Sequence, residues 1–214
     1  MGANIFIMKD FSTVEKIIER LKNEYPDKPA LTYNTTYQLL VAVILSAQCT
    51  DERVNMVTKD LFVDYGTPEK MVTLTNQELE KKIFSIGLYK NKANNILKMS
   101  KTLLERFGGK VPDTFEELIT LDGVGRKTAN VVLSVGFNKP ALAVDTHVFR
   151  VSRRIGLSDK NAPEKVEEEL KNSIKKEDWS KSHHFLIYHG RRVCFARKPN
   201  CEFCVIKEFC DYGK

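Results

Sequence analysis

No stretch of this 214-residue chain is apolar for the roughly 20 residues that a membrane-spanning helix needs. The longest such run, Leu39 to Leu45, has the length of a buried helix. The opening residues MGANIFIMKDF hold too short an apolar core for a signal peptide, lack a small-residue cleavage site, and carry Phe6 where a myristoylation signal needs Ser or Thr. A cytoplasmic protein is expected. Alternating apolar and polar residues are also missing, apart from a weak pattern over Ala141 to Val144, so no sheet is expected. Repeats of fixed period and low-complexity linkers are absent as well. Acidic residues vanish locally: none lies between Trp179 and Cys201, where Lys181, Arg191, Arg192, Arg197, Lys198 and three histidines fall. A solvated helix face accounts for that segment as well as a bound polyanion does. The overall excess of 34 Lys and Arg over 28 Asp and Glu, +6 with pI near 9.0, raises nucleic-acid binding only slightly.

Hydrophobic residues make up 42% of the chain, ample for a packed core, and their spacing is helical nearly throughout. Ser12 and Glu15 read as a capping box ahead of Val14, Ile17, Ile18 and Leu21, a helix stopped by Pro26. Thr36 to Ala47 is apolar on all sides and belongs at the centre of a core. Further helices are expected over Val54 to Tyr65, from Thr67-Pro68, from a Thr75–Glu78 cap to Gly87, and over Lys92 to Phe107 with Gly108-Gly109 closing it. Thr114 to Thr120, Gly125 to Val135, a helix capped by Asp145 and reaching Ile155, one starting at Pro163, and Trp179 to Arg192 complete the set. The fold class is all-α, in two helical lobes.

Five cysteines in a cytosolic chain argue against disulfides, and four of them crowd the C-terminal end. Cys194, Cys201, Cys204 and Cys210 are spaced C-x6-C-x2-C-x5-C. Zinc ribbons use two short knuckles joined by a longer arm; here one CxxC lies in a single tight loop. That spacing favours four thiolates around an iron–sulfur cluster, with zinc as the alternative. Cys49, in an apolar helix, reads as a buried structural thiol.

The segment LDGVGRKTAN holds Gly123, Val124, Gly125, Arg126 and Lys127. A Walker loop needs glycine directly before the lysine, and here Arg126 intervenes. A dinucleotide fingerprint needs a preceding strand and a third glycine, and both are missing. Two readings remain: an ordinary αα-hairpin, and a hairpin whose backbone N–H groups and helix N-terminus take a DNA phosphate. Lys127 stands in the first turn of its helix, where the dipole disfavours a cation. That field, Arg126 and partial burial would lower its pKa and free the amine as a nucleophile.

The run LDGVGRKTANVVLSVGFNKPALAVDTHVFR, followed by the cysteine loop, closely resembles the bacterial endonuclease III family. LLVAVILSAQCTDERVN and FSIGLYKNKANNI resemble that family's segments too, so the likeness covers the chain from about Leu31 onward. These are helix–hairpin–helix DNA glycosylases with a [4Fe-4S] cluster. The resemblance implies a six-helix barrel domain over 29–139 containing the hairpin at 114–137. It also implies a cluster domain from 1–28 plus 140–214, with a cleft between the two. It implies Lys127 as catalytic lysine, Asp145 as essential aspartate, and the four cysteines as cluster ligands. Gln48 and Leu88 match residues inserted into the duplex where the damaged base has left. The hairpin, Arg191, Arg192, Arg197 and Lys198 would then follow phosphates, and His147 would line the site.

The implied activity is a bifunctional N-glycosylase and apurinic/apyrimidinic lyase acting on oxidised pyrimidines. Its partner would be double-stranded DNA with damaged bases or abasic sites, bound by a monomer. Two departures stand out: Asp122 replaces a frequent proline, and Cys49 a common alanine. An adenine-mismatch glycosylase would carry a glutamate in the helix 39–47, which has no acid. A thymine-mismatch relative would lack the lysine. A non-catalytic cluster-bearing DNA-binding module would need neither Lys127 nor Asp145.

Overall fold

The computed structural model describes residues 9–26 and 30–212, and among them every regular element is helical. Most of the N-terminal stretch read against a signal peptide, residues 1–8, lies outside the described residues. No helix among those described is long and apolar enough to cross a membrane. The chain divides into two compact units, one of Met1–Lys28 with Pro140–Lys214, the other of Pro29–Lys139.

The second unit is organised around α2 (Thr36–Ser46), which contains no charged residue and is buried from Tyr37 to Leu45. A helix apolar on every side has no solvent face to offer, so its neighbours must surround it. They are α3 (Asp51–Tyr65), α6 (Tyr89–Phe107), α8 (Arg126–Val131) and the π-helical turn Val132–Gly136 that follows α8. The Tyr37 hydroxyl and Ser100 Oγ, both buried, share a hydrogen bond of 2.7 Å that ties α2 to α6. Each buried Leu, Ile or Val here contributes about 1.5–3 kcal/mol of transfer free energy. Short helices α4 (Pro68–Met71), α5 (Asn76–Lys82) and α7 (Phe115–Leu118) fill in around them. The Thr75–Glu78 capping box forms as expected, with Glu78 holding the Thr75 N–H at 2.8 Å.

The first unit packs α1 (Phe11–Glu24), α9 (Thr146–Ile155), α10 (Pro163–Ser173) and α11 (Trp179–Arg192) around Ile17, Leu21, Val148, Val151, Leu170, Phe185 and Leu186. At Gly190 a β-carbon would stand 3.0 Å from His147 Cβ and 3.1 Å from Val151 Cγ2. Only glycine allows α11 to approach α9 that closely.

Four expectations shift. The N-cap of α1 is Asp10, whose carboxylate accepts from the Thr13 N–H at 3.0 Å; Ser12 lies inside the helix. Helix α6 starts three residues earlier than its apolar pattern, because its first turn, Tyr89 to Asn91, is polar and its N-cap Leu88 is left-handed. The helix after the glycine turn is regular only to Val131 and then widens into the π-helical turn. Ala141 to Val144 is buried but pairs with no strand among the described residues. Instead His183 Nδ1 contacts the Ala143 carbonyl at 2.9 Å.

Candidate active site

The hairpin forms between α7 and α8. Gly123 has φ 77°, and a β-carbon there would meet Asn95 of α6 at 3.0 Å, so both conformation and space call for glycine. Val124 is buried and its N–H bonds the Leu121 carbonyl at 3.1 Å, anchoring the turn. Gly125 is the N-cap of α8; no side chain caps it, and nothing lies within 4 Å of where its β-carbon would be. The start of α8 therefore takes no cap from its N-cap side chain, which leaves an anion-seeking helix start. The Arg126 guanidinium sits over the Phe115 ring at 5.1 Å, linking α8 back to α7.

Lys127 is the second residue of α8 and is exposed; the partial burial expected of it is not found. No ion pair or hydrogen bond engages its ammonium among the described residues. It is presented rather than tied down. Near it in sequence, the π-helical turn widens the ladder, a feature that recurs at functional sites.

Gln48 and Leu88 lie in two neighbouring turns of the same unit. Both are non-glycine residues in the left-handed region, at φ 54° and 59°, and both are exposed, Leu88 by 56%. Gly87 brings the turns together: a β-carbon there would stand 3.3 Å from the Gln48 carbonyl oxygen. Left-handed backbone costs such residues about 1–3 kcal/mol each, so their surroundings hold them in place.

Asp145 lies in the other unit. Its Oδ1 accepts from the N–H groups of His147 and Val148, each at 2.8 Å, so it caps α9 as expected. Half-buried His147 shares a contact of 3.2 Å with Arg150 Nη2, and burial holds its pKa below the usual histidine value. Arg150 Nη2 also donates to the Gly190 and Cys194 carbonyls, at 2.9 and 3.0 Å.

Cys194, Cys201, Cys204 and Cys210 line one cavity, walled by Ile155, Val193 and Ile206. Among the described residues no group of three or more His, Cys, Asp or Glu side chains is placed to hold a single metal ion. Burial pushes the Cys204 and Cys210 thiols up, and the neighbouring cysteines act in the same direction. His189 Nε2 lies 3.6 Å from Cys204 Sγ, and its Nδ1 lies 3.0 Å from the Tyr25 hydroxyl. A proton on Nε2 makes both contacts hydrogen bonds, the Tyr25 O–H donating to Nδ1 and the ring donating to sulfur. Arg154 clamps the loop from the other side, donating to the Phe195 and Ala196 carbonyls at 2.6 and 2.9 Å.

Arg197 and Lys198 are exposed on the loop, Lys198 at φ 50°. Arg191 is exposed too. Arg192 is exposed as well, with its guanidinium over Tyr188 and Tyr25, at 5.0 and 5.9 Å.

Residues 41–176 match the model of the HhH-GPD superfamily base excision DNA repair proteins. The chain is 52% identical to the endonuclease III of Rickettsia conorii over 200 residues, 93% of this chain and 95% of that one. The chain belongs to the endonuclease III family. It is a base-excision-repair enzyme of the DNA glycosylase and lyase class. Within the family, the Bacillus subtilis endonuclease III is 46% identical, covering 97% and 95% of the two chains. The structure superposes on a trapped endonuclease III–DNA covalent intermediate with a TM-score of 0.91, at 45% identity, covering 95% of this chain and 97% of that one. A thermostable thymine-DNA glycosylase is further off, at TM-score 0.82 and 26% identity over 94% of each chain.

Sequence reasoning missed Lys92, Arg150, Arg154 and Tyr25, and took His183 and His189 only as members of a basic stretch. For Lys92 a signal existed: it falls in register with Ile96, Met99 and Leu103, the buried stripe of α6. The others act through carbonyls, rings, a hydroxyl or a sulfur brought near only by folding.

Proposed function

We propose that this enzyme removes oxidised pyrimidines from double-stranded DNA and cuts the strand at the resulting abasic site, using Lys127 as nucleophile. The observation that carries the reading is Lys127 itself, exposed, without an ion pair among the described residues, and set in the first turn of α8, whose N-cap is Gly125, in a helix–hairpin–helix. As the free amine, its Nζ attacks C1′ of the flipped nucleotide, and the bond from C1′ to the base breaks. Ring opening leaves an imine between Nζ and C1′. Loss of a 2′ proton then drives elimination of the 3′ phosphate oxygen, and water releases the lysine.

Asp145 supplies a carboxylate, already ordered by the α9 N-terminus, that stabilises positive charge on the sugar or moves protons. Gln48 and Leu88 fill the gap left in the stack, offsetting part of an unstacking cost of a few kcal/mol. The hairpin of Gly123 to Arg126 takes a backbone phosphate through N–H groups other than that of Val124, which the Leu121 carbonyl holds, and Arg191, Arg192, Arg197 and Lys198 add salt-sensitive affinity. His147 lines the site beside Asp145. The unit 29–139 is read as the six-helix barrel domain and 1–28 with 140–214 as the cluster domain.

The four cysteines around one cavity fit a [4Fe-4S] cluster, with His189 N–H directed at one sulfur and Arg154 holding the loop. When bound, the cluster supplies cross-linking that shapes the basic loop. The protein acts as a monomer in the cytoplasm, at the DNA.

Borohydride reduction of the imine tests the reading. Wild-type protein and Arg197→Ala should be trapped on thymine-glycol or abasic duplexes, and Lys127→Ala should not. Absence of a trapped adduct with wild-type protein would sink the lyase assignment.

A further inference from the structure

Lys92 is only 5% exposed, inside α6, and among the described residues no carboxylate pairs with it. Its ammonium donates to two carbonyls, Leu45 at 2.9 Å and Ala47. These belong to the C-terminal turn of α2, where carbonyls lack helical partners and the dipole favours a cation. A lysine from another helix thus caps α2, immediately before Gln48. Its backbone is committed as well: the Lys92 N–H bonds the Leu88 carbonyl at 3.1 Å, the first bond of α6. One residue is therefore joined to both left-handed turns, the one ending in Gln48 by its side chain and the one at Leu88 by its main chain. Burial holds the Lys92 pKa below the usual lysine value, with the nearby Cys49 opposing it in part.

We propose that Lys92 is a positioning residue that locks the Gln48 and Leu88 turns into one rigid wedge, so that both side chains enter the duplex together. This rests on the reading of Gln48 and Leu88 as inserted side chains. Without the ammonium, the Leu45 and Ala47 carbonyls lose their donor and the Gln48 turn has no anchor to α6. The wedge would then be present but loose, a displacement that costs rate without touching the reacting atoms.

The test compares Lys92→Met, which keeps the length and removes the donors, with Lys92→Arg, which keeps them. Each protein is bound at saturation to a duplex carrying an uncleavable abasic analogue opposite 2-aminopurine, whose fluorescence reports the filling of the gap. Each is then assayed for kcat on a thymine-glycol duplex and for borohydride trapping on single-stranded abasic DNA, where no gap exists. Lys92→Met should lose the fluorescence change and about tenfold or more in duplex kcat, with single-strand trapping within a few-fold of wild type. Lys92→Arg should recover most of both losses. A wild-type fluorescence change in Lys92→Met overturns the proposal, and so does an equal loss on duplex and single strand in both variants. If Lys92→Met does not fold, Lys92→Gln, with two donors of shorter reach, takes its place under the same criteria. Gln48→Ala and Leu88→Ala run alongside. If neither alters the fluorescence, the insertion reading itself fails; if both do and Lys92→Met does not, only the clamp fails.

Discussion

Asp145 combines a helix cap and a charge in one side chain. Its Oδ1 takes the His147 and Val148 N–H groups at 2.8 Å each, a role that asparagine fills nearly as well. Substitution can therefore separate the two. Asp145→Asn should leave the thermal midpoint close to wild type and lower turnover by orders of magnitude, while Asp145→Ala should lose activity and also about 1 kcal/mol of stability. Equal activity in Asn and wild-type proteins would assign Asp145 to capping alone. At this scale the sequence was informative wherever a residue broke a local rule. Lys127 in a first helical turn and cysteines bunched in one loop stand out against their surroundings. Lys92 breaks no rule in the linear chain except by facing the same way as Ile96 and Met99. What it binds, two carbonyls some 45 positions back, is visible only after folding.

Among the elements, the cysteine loop depends on groups outside itself. Arg154 of α9 holds the Phe195 and Ala196 carbonyls and lies 3.5 Å from Cys194 Sγ, while Arg150 holds the Cys194 carbonyl. Removing such planar, multi-donor contacts frees main-chain carbonyls that a smaller side chain cannot reach. If the loop holds the proposed iron–sulfur cluster, Arg154→Ala should keep the helical signal but lose the iron–thiolate absorbance faster under a chelator, and should bind DNA more weakly. Identical bleaching rates would show that the loop holds its shape without Arg154. Helix boundaries were legible where caps carried them, as at Thr75, Asp145 and Pro163. They were misread where the first turn was polar, as in α6, or where an earlier residue made the better cap, as with Asp10 ahead of Ser12. The π-helical turn after α8 has no mark in the helical periodicity; at its end Gly136 packs against α2, where a β-carbon would stand 3.0 Å from both Leu39 and Thr36.

For the whole molecule, a half-buried histidine links stability to pH. Burial, reinforced by His183, holds the His184 pKa down at about 3, against an ordinary value of 6.5. The unfolded chain therefore takes up a proton first as pH falls, so acid favours unfolding throughout that window. The denaturant midpoint of wild-type protein should drop between pH 7 and pH 5, and His184→Asn should show a shallower drop; parallel curves would place the effect elsewhere. The sequence by itself determined the helical class, the existence of a hairpin and the cysteine centre, because helical periodicity, glycine turns and thiol spacing are local properties of a chain. Tertiary structure decided what holds those parts in working order. The carbonyls Lys92 grips, the sulfur His189 faces and the loop Arg154 clamps are set by distances between residues far apart in the chain, and only packing brings them within hydrogen-bond range.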